Sequence, residues 1–378
     1  MSVLSRSRRW SRWAVGVVVA LSALAVTASP ALASAPNVVR LSGTSYPNTS
    51  STPTVVRAEF AGAVAIASGY DFMIALMPDG TLRSSGVNGH GQLGDGTYET
   101  RYTPVTVKKV TGVVAIAAGE DYAIALLGNG QLRVWGNSLQ GQLGTVGVKF
   151  PTPVKYTLAQ PARSVAIGDD HVLVSLADGT VVGWGDNYWG QLGNGSSYQW
   201  PRVVTPVVAT GLTGVTSVAA GRHYSVARRS DGTVWHWGWQ SGTSQPILTT
   251  PTPVPGLTGA TSVSAGADFA VVLLADGTVW TWGDNYSGEL GDGTTTDQNL
   301  PVPVLGLTGV TRIASGDVHT LALRADGSVW GWGYNHYYAL GGGTRDLWNL
   351  AAPINALPTS GALAISADRD ISMFTSTS

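Results

Sequence analysis

Apolar residues along this chain come in short runs that stop at a turn dipeptide and resume with alternating character. Ala270-Val271-Val272-Leu273-Leu274 precedes Asp276-Gly277, and Thr278-Val279-Trp280-Thr281-Trp282 follows it, ending at Gly283. Asp-Gly between two such runs predicts a hairpin, because both residues tolerate the positive φ of a tight reversal. The dipeptide recurs at Asp79-Gly80, Asn129-Gly130, Asp178-Gly179, Asp231-Gly232, Asp276-Gly277 and Asp326-Gly327, spaced by 50, 49, 53, 45 and 50 residues. A fixed period of this size marks a repeat architecture. Every unit keeps one order: a strand ending at glycine, a short loop, the hairpin, a tryptophan strand, a long glycine-containing loop and a proline-rich stretch. That order predicts a four-stranded antiparallel meander, one propeller blade. Tryptophans two apart (Trp235/Trp237, Trp280/Trp282, Trp330/Trp332) face one side of their strand and are expected to pack between blades.

The repeat itself is specific. The pattern D-G-T-V-W-x-W-G-x-N-x-x-G-x-L-G-x-G-T, then P-x-P-V, then I-A-x-G-x-x-H-x-L-A-L, is nearly complete over residues 260–330. It resembles the regulator-of-chromosome-condensation repeat, in six tandem copies that cover almost the whole chain. The resemblance implies an all-β, seven-bladed β-propeller. The two chain ends are expected to supply the missing blade. Val39-Arg40-Leu41-Ser42-Gly43 aligns with a tryptophan strand, and Leu363-Ala364-Ile365-Ser366-Ala367 aligns with the first strand of a unit. The expected layout is therefore 37–62 as the outer half of a shared blade and 362–378 as its inner half. Between them lie the repeats 63–112, 113–162, 163–214, 215–259, 260–309 and 310–361. Closure without a free edge is the physical reason for sharing a blade.

Residues 1–33 read as an export signal. Arg6, Arg8, Arg9 and Arg12 precede an apolar run from Ala14 to Val26, and Ala31-Leu32-Ala33 offers a small-residue cleavage site. The propeller then occupies 34–378, secreted, with no membrane anchor and as a monomer. Composition agrees with an all-β fold: 49 glycines, 14 tryptophans and only 12% charged residues. Cysteine is absent, which excludes disulfides, thiol nucleophiles and cysteine-held zinc. Without the leader's four arginines the chain carries 18 basic and 23 acidic residues, a net charge of −5. It shows no basic cluster of the kind nucleic-acid binding requires.

Enzyme signatures are not found: no phosphate-binding glycine loop, no H-E-x-x-H and no G-x-S-x-G. No catalytic residue, metal or cofactor is assigned. Three residues past the first-loop glycine stand Phe72, Tyr122, His171, Tyr224, Phe269 and His319, so shape decides that position and its histidines are not catalysts. Two residues past it stand Asp71, Asp121, Asp170, His223, Asp268 and Val318, with Asp370 in the shared blade. Repetition places these aspartates in a ring, with Glu120, Asp169 and Asp317 beside them. Such a rim either caps its own turns or attracts a cation or basic protein patch. The long loops carry aromatic residues at positions the repeat leaves free: Tyr188, Trp189, Trp239, Tyr286 and Tyr337. Meander geometry puts these loops and the acidic rim on one face. The fourth unit lacks the G-x-L-G segment after Trp239, which leaves either a notch or only a shorter loop.

The function expected is a non-enzymatic binding module for an extracellular protein, with enzyme inhibition as a variant. A secreted bacterial β-lactamase inhibitor is a related seven-bladed propeller with shorter repeats. Glycan or cell-wall binding is the alternative. The family's name-giving nucleotide exchange would need an intracellular partner, which an exported chain does not meet.

Overall fold

A computed structural model describes residues 37–41, 54–55, 60, 62–139, 141–335, 339–340, 347–354, 362–368 and 371–376. The expected leader (residues 1–33), Tyr337 and Asp370 lie outside them. Within them the chain is all-β: antiparallel sheets of four strands, the blades of a propeller. Six blades are built from four consecutive strands. They run from Ala65–Ser68 to Arg101–Thr106, Val113–Ala118 to Val148–Tyr156, and Ala162–Ile167 to Gln199–Val208. The other three run from Val215–Ala220 to Leu248–Pro253, Ala260–Ala265 to Gln298–Pro303, and Val310–Ser315 to Leu347–Pro353. Contiguous blades therefore number six, not seven. The remaining four strands come from both chain ends and pair in one further sheet, ordered Thr54–Val55, Asn37–Leu41, Ile371–Ser376, Ala362–Asp368. In it Val39 stands opposite Val55 on one side and Phe374 on the other. Strand Ala362–Asp368 packs beside Ala65–Ser68 of blade one and beside the first two strands of blade six.

Blade five shows why each element forms. At its hairpin Gly277 takes φ +80°, and the Asp276 carboxylate accepts bonds from the Thr278 N–H at 2.9 Å and hydroxyl at 2.7 Å. Strand Phe269–Leu274 is apolar throughout because both its faces are covered. Strand Gln298–Pro303 lies on the outer edge, where Pro301 and Pro303 give up no ladder hydrogen bond.

The glycine closing each first strand has a different cause, which is lack of room. A Cβ on Gly266 would lie 2.0 Å from Phe269 Cε1, and one on Gly221 would lie 2.0 Å from Tyr224 Cε1 and 2.7 Å from the Gly266 carbonyl oxygen. The ring three residues on folds back over the glycine and fills the gap to the next blade. This accounts for Phe72, Tyr122, His171, Tyr224, Phe269 and His319, all at most 4% exposed. His171 Nε2 lies 3.0 Å from Ser225 Oγ in blade four, and His319 Nε2 lies 2.8 Å from Ser372 Oγ. Burial drives His171 down to about 3, so it stays neutral.

Paired tryptophans divide their work. Trp237, Trp282 and Trp332 are fully buried, as are Trp135 and Trp184. Their partners Trp235 and Trp330 are only half-buried and lie under Arg229 and Arg324. Each buried indole reaches back to the preceding blade. Trp135, Trp184, Trp237 and Trp332 donate Nε1–H at 2.8 Å to the carbonyls of Gln92, Gln142, Gln191 and Glu289. Blade four lacks that loop segment, and there the Gln240 side chain substitutes, its Oε1 accepting from Trp282 Nε1 at 3.1 Å. Truncating such a tryptophan to alanine costs ~3–5 kcal/mol.

Candidate binding face

Two loop sets meet on one side of the blades. Inner loops join the first and second strands, and long loops follow the third strands. Contacts between them establish the shared face: His90 Nδ1, in the long loop of blade one, lies 2.9 Å from Asp121 Oδ2 in the inner loop of blade two.

The aspartates do stand at one repeated position, but their partners come from elsewhere in the chain, strands as well as loops. Asn137 Nδ2 donates to Asp121 Oδ2 at 2.7 Å. Arg202 NH1 meets Asp170 Oδ1 at 2.7 Å. Arg222 NH1 meets Asp268 Oδ2 at 2.9 Å, and the Ser241 N–H points at Asp268 Oδ1 from 3.4 Å. Asp71 is half-buried and also engaged. The rim is thus less acidic than a bare count of carboxylates suggests, because arginine or histidine accompanies three of its members.

A second set of acidic groups lies one residue earlier. Asp169 of blade three is buried; its nearest cation is Arg222 Nε at 3.4 Å, and neither carboxylate oxygen accepts a hydrogen bond among the described residues. Burial and then the Asp317 charge from blade six hold its pKa well above the ordinary range, against the pull of Arg222. Burial also raises Asp268, with Arg222 opposing. A single guanidinium from blade four therefore links carboxylates of blades three and five. Backbone bonds tie the same loops: Arg222 N–H to Ala267 O at 2.8 Å, and Ala267 N–H to Asp317 O at 2.9 Å.

Beside this cluster lies an aromatic platform. Trp189 of blade three stacks on Trp239 of blade four, centroids 4.5 Å apart and planes at 20°. His223 sits against both rings at 5.6 and 6.0 Å. Tyr188 meets Trp189 edge-on at 5.2 Å and Tyr198 at 5.0 Å. Tyr198 is 59% exposed and holds φ +55°, a conformation that costs a bulky residue energy. The short blade-four loop leaves a shallow cleft lined by Tyr224, His236, Gln240, Thr243, Pro246 and Leu248, while Trp239 turns toward blade three. Tyr286 is 79% exposed in blade five and stands apart from these ring contacts.

Sequence reasoning named Tyr188, Trp189 and Trp239 but not Tyr198, Arg202 or Arg222. Arg222 carried a usable signal, since it occupies the inner-loop position held by Glu120, Asp169 and Asp317 in other blades. Blade five holds a second acidic group in its long loop. Glu289 is buried, its Oε2 accepts the Ser287 N–H at 2.7 Å, and burial followed by the Asp284 charge pushes it up to about 8. Asp284 is raised to about 7 by burial and by Asp297. Among the described residues no group of three or more metal-ligating side chains comes together.

Comparison with known proteins follows the architecture. The chain superposes on Prp20p from Saccharomyces cerevisiae with a TM-score of 0.78 at 21% identity, over 91% of this chain and 92% of that one. It superposes on human WBSCR16 with a TM-score of 0.76 at 21% identity, over 90% and 99%. At that identity the likeness establishes the fold. No curated protein matches the chain in sequence. The model of the RCC1-like domain matches residues 39–307, and that of the regulator of chromosome condensation (RCC1) repeat matches residues 310–339. The chain belongs to the RCC1-like domain family.

Proposed function

We propose that this protein is a secreted binding propeller that takes a protein partner on the loop face of blades three to five and performs no chemistry of its own. The observation that carries the reading is the Trp189–Trp239 stack beside His223 and the Arg222–Asp268 pair. Tight protein interfaces concentrate their energy in Trp, Tyr and Arg anchors near the patch centre, and this face groups those residue types. Prp20p is described through its binding to Gsp1p and histones, so one structural neighbour uses the fold for protein recognition. Closure as a seven-bladed ring belongs to the same reading. Support for it comes from the composite sheet, whose strand Ala362–Asp368 lies beside strands of blades six and one, and from the need of a propeller to leave no open edge.

The test immobilises residues 34–378 and the Trp189→Ala/Trp239→Ala variant and exposes both to culture and wall fractions of the producing cell. A protein held by the first and lost by the second supports the reading. Retention of the chain on insoluble glycan instead would establish the glycan alternative. Mass spectrometry of the culture medium should find a chain starting at Ser34; intact Met1 protein in the cytoplasm would refute export.

A further inference from the structure

We propose that the hairpin end of blades one and two, opposite the loop face, docks a base-free linear polyanion of the cell surface, a polyol-phosphate polymer. The inference goes beyond the partner of the loop face; only its choice of a cell-surface polymer rests on the export reading. Sequence order scatters the residues concerned, and the fold gathers them. Lys108 and Lys109 lie in the linker between the two blades, which meets the first hairpin where the Val113 N–H donates to the Gly80 carbonyl at 3.0 Å. Arg133 is the second residue after the next hairpin's strand begins at Leu132, counting Leu132 as the first, and Lys155 stands opposite it. Arg163 follows Ala162, whose N–H donates to the Gly130 carbonyl of that hairpin at 2.8 Å. All but the half-buried Arg133 are exposed.

Three observations set this sector apart. First, its charge is not neutralised. None of these five side chains enters an ion pair among the described residues. Arginines at the same end of blades four and six are tied to their own turns, Arg229 NH1 lying 3.2 Å from Asp231 and Arg324 NH1 3.1 Å from Asp326. Among the described residues, the one acidic group at this end of blades one and two is Asp79, on which the Arg83 charge acts.

Second, Lys109 is held where the repeat otherwise uses glycine. Gly211, Gly256 and Gly306 take its place in later linkers, at φ +74°, +77° and +72°. Lys109 adopts φ +58°, which strains a residue that carries a Cβ. Strain kept at an exposed position points to a role for the side chain. Third, Arg133 and Lys155 are direct cross-strand partners. Like charges so placed cost stability, and Arg133 NH1 finds no hydrogen-bond partner among the described residues. An anion lying across the two relieves both defects.

The chemistry of the occupant follows from what the sector has given up. Arg83 and Arg133 stand where blades four to six carry Trp235, Trp280 and Trp330, so charge replaces an aromatic surface. Tyr156, a ring of this end, is already stacked on the buried Trp184 with centroids 4.5 Å apart. Nucleobases need rings to stack on, whereas spaced phosphates need only spaced cations. Because the five cations are spread over two blades and the seam to the third, an extended chain meets them better than a single phosphate.

The experiment titrates labelled, purified poly(glycerol phosphate) with residues 34–378, followed by fluorescence anisotropy from about 20 to about 300 mM NaCl. Affinity should fall with salt, at a log–log slope of about −3 for four or five phosphate contacts. Lys155→Gln should weaken binding about threefold and flatten the slope by about one. Lys109→Gly should weaken it about as much while raising the unfolding midpoint by about 1 °C, since glycine takes that φ without strain. A merely structural lysine would not move binding and stability in opposite directions. Absence of binding at low salt, or an affinity unmoved in Lys109→Gly/Lys155→Gln, would overturn the inference. Tighter binding of a thymidine oligonucleotide with equal phosphate number, or of polyglutamate, would overturn it in favour of nucleic acid or an acidic protein. These measurements use purified components, so their failure is distinct from failure of the export reading, which the mass of the secreted chain decides.

Discussion

Replacing Glu289 with glutamine should make the protein more stable, by an amount that grows with pH. In blades one to three the equivalent residue is already glutamine: Gln92, Gln142 and Gln191 stand in the same G-x-L-G segment. Gln92 and Gln191 accept the N–H of His90 and Trp189 at 2.9 Å, just as Glu289 accepts that of Ser287. Gln191 also donates Nε2–H to Asp186 at 2.8 Å, and Asp284 is the blade-five counterpart of Asp186. Glutamate thus turns an amide–carboxylate pair into two facing acids. Its carboxyl titrates at about 8 in the fold against an ordinary 4.5. Between those values the native state holds a proton that the unfolded chain releases, so stability falls as pH rises through the window. A gap of that size corresponds to ~3 kcal/mol already lost at pH 7, relative to pH values below 4.5. The glutamine variant escapes this loss, and about half of it should survive local relaxation. A gain of ~1.5 kcal/mol is roughly 2 °C in a domain of this size. Thermal unfolding of both proteins at pH 5, 6, 7 and 8 tests it. The two midpoints should nearly coincide at pH 5 and separate steadily above it. A constant offset, or a variant less stable at pH 8, would refute the argument.

Three further predictions concern the scaffold. Gln240→Leu removes the acceptor of the buried Trp282 indole and should cost ~1–3 kcal/mol, measured by denaturant titration; an unchanged midpoint would mean the indole finds another partner. Gly266→Ala forces a methyl into Phe269 and should destabilise the fold by ~2–4 kcal/mol, with partial recovery in the Gly266→Ala/Phe269→Leu double variant. Deleting residues 362–378 uncovers strand edges beside blades one and six, so a lower melting temperature and loss of the monomer should follow in light scattering. A truncated chain that stays monomeric with an unaltered midpoint would refute closure through the ends.

The scaffold was legible in sequence because it is repetitive and local. A hairpin signal needs four adjacent residues, and its recurrence six times supplies the strand order around it. Even the shared sheet could be read, since its strands keep the repeat's motif at each end. The site was half legible for the opposite reason. Aspartates and aromatics could be placed by position, yet what they touch depends on partners far along the chain. Arg222 meets Asp268 across 46 residues and Arg202 meets Asp170 across 32. No periodicity encodes such pairs, because each exists in only one blade. The exchange of Gln for Glu289 was open to inspection all along. Its consequence was not, because nothing local says that the side chain is buried beside Asp284.

The indole bonds between blades bear on how the molecule recognises anything. The Gln191 carbonyl that receives Trp237 belongs to the loop carrying Trp189, and the Gln191 amide oxygen holds the Trp189 N–H. The loop that presents the contact residue is thus bolted to the hydrophobic interior of its neighbour. Association then forfeits little loop entropy, because most of the ordering was completed on folding. It also separates two kinds of evolutionary freedom. Residues at the loop tip can be exchanged without loosening the loop, since its anchor is a main-chain atom that every amino acid supplies. Blade four is the exception, fastened through the Gln240 side chain, so mutation there trades recognition directly against cohesion.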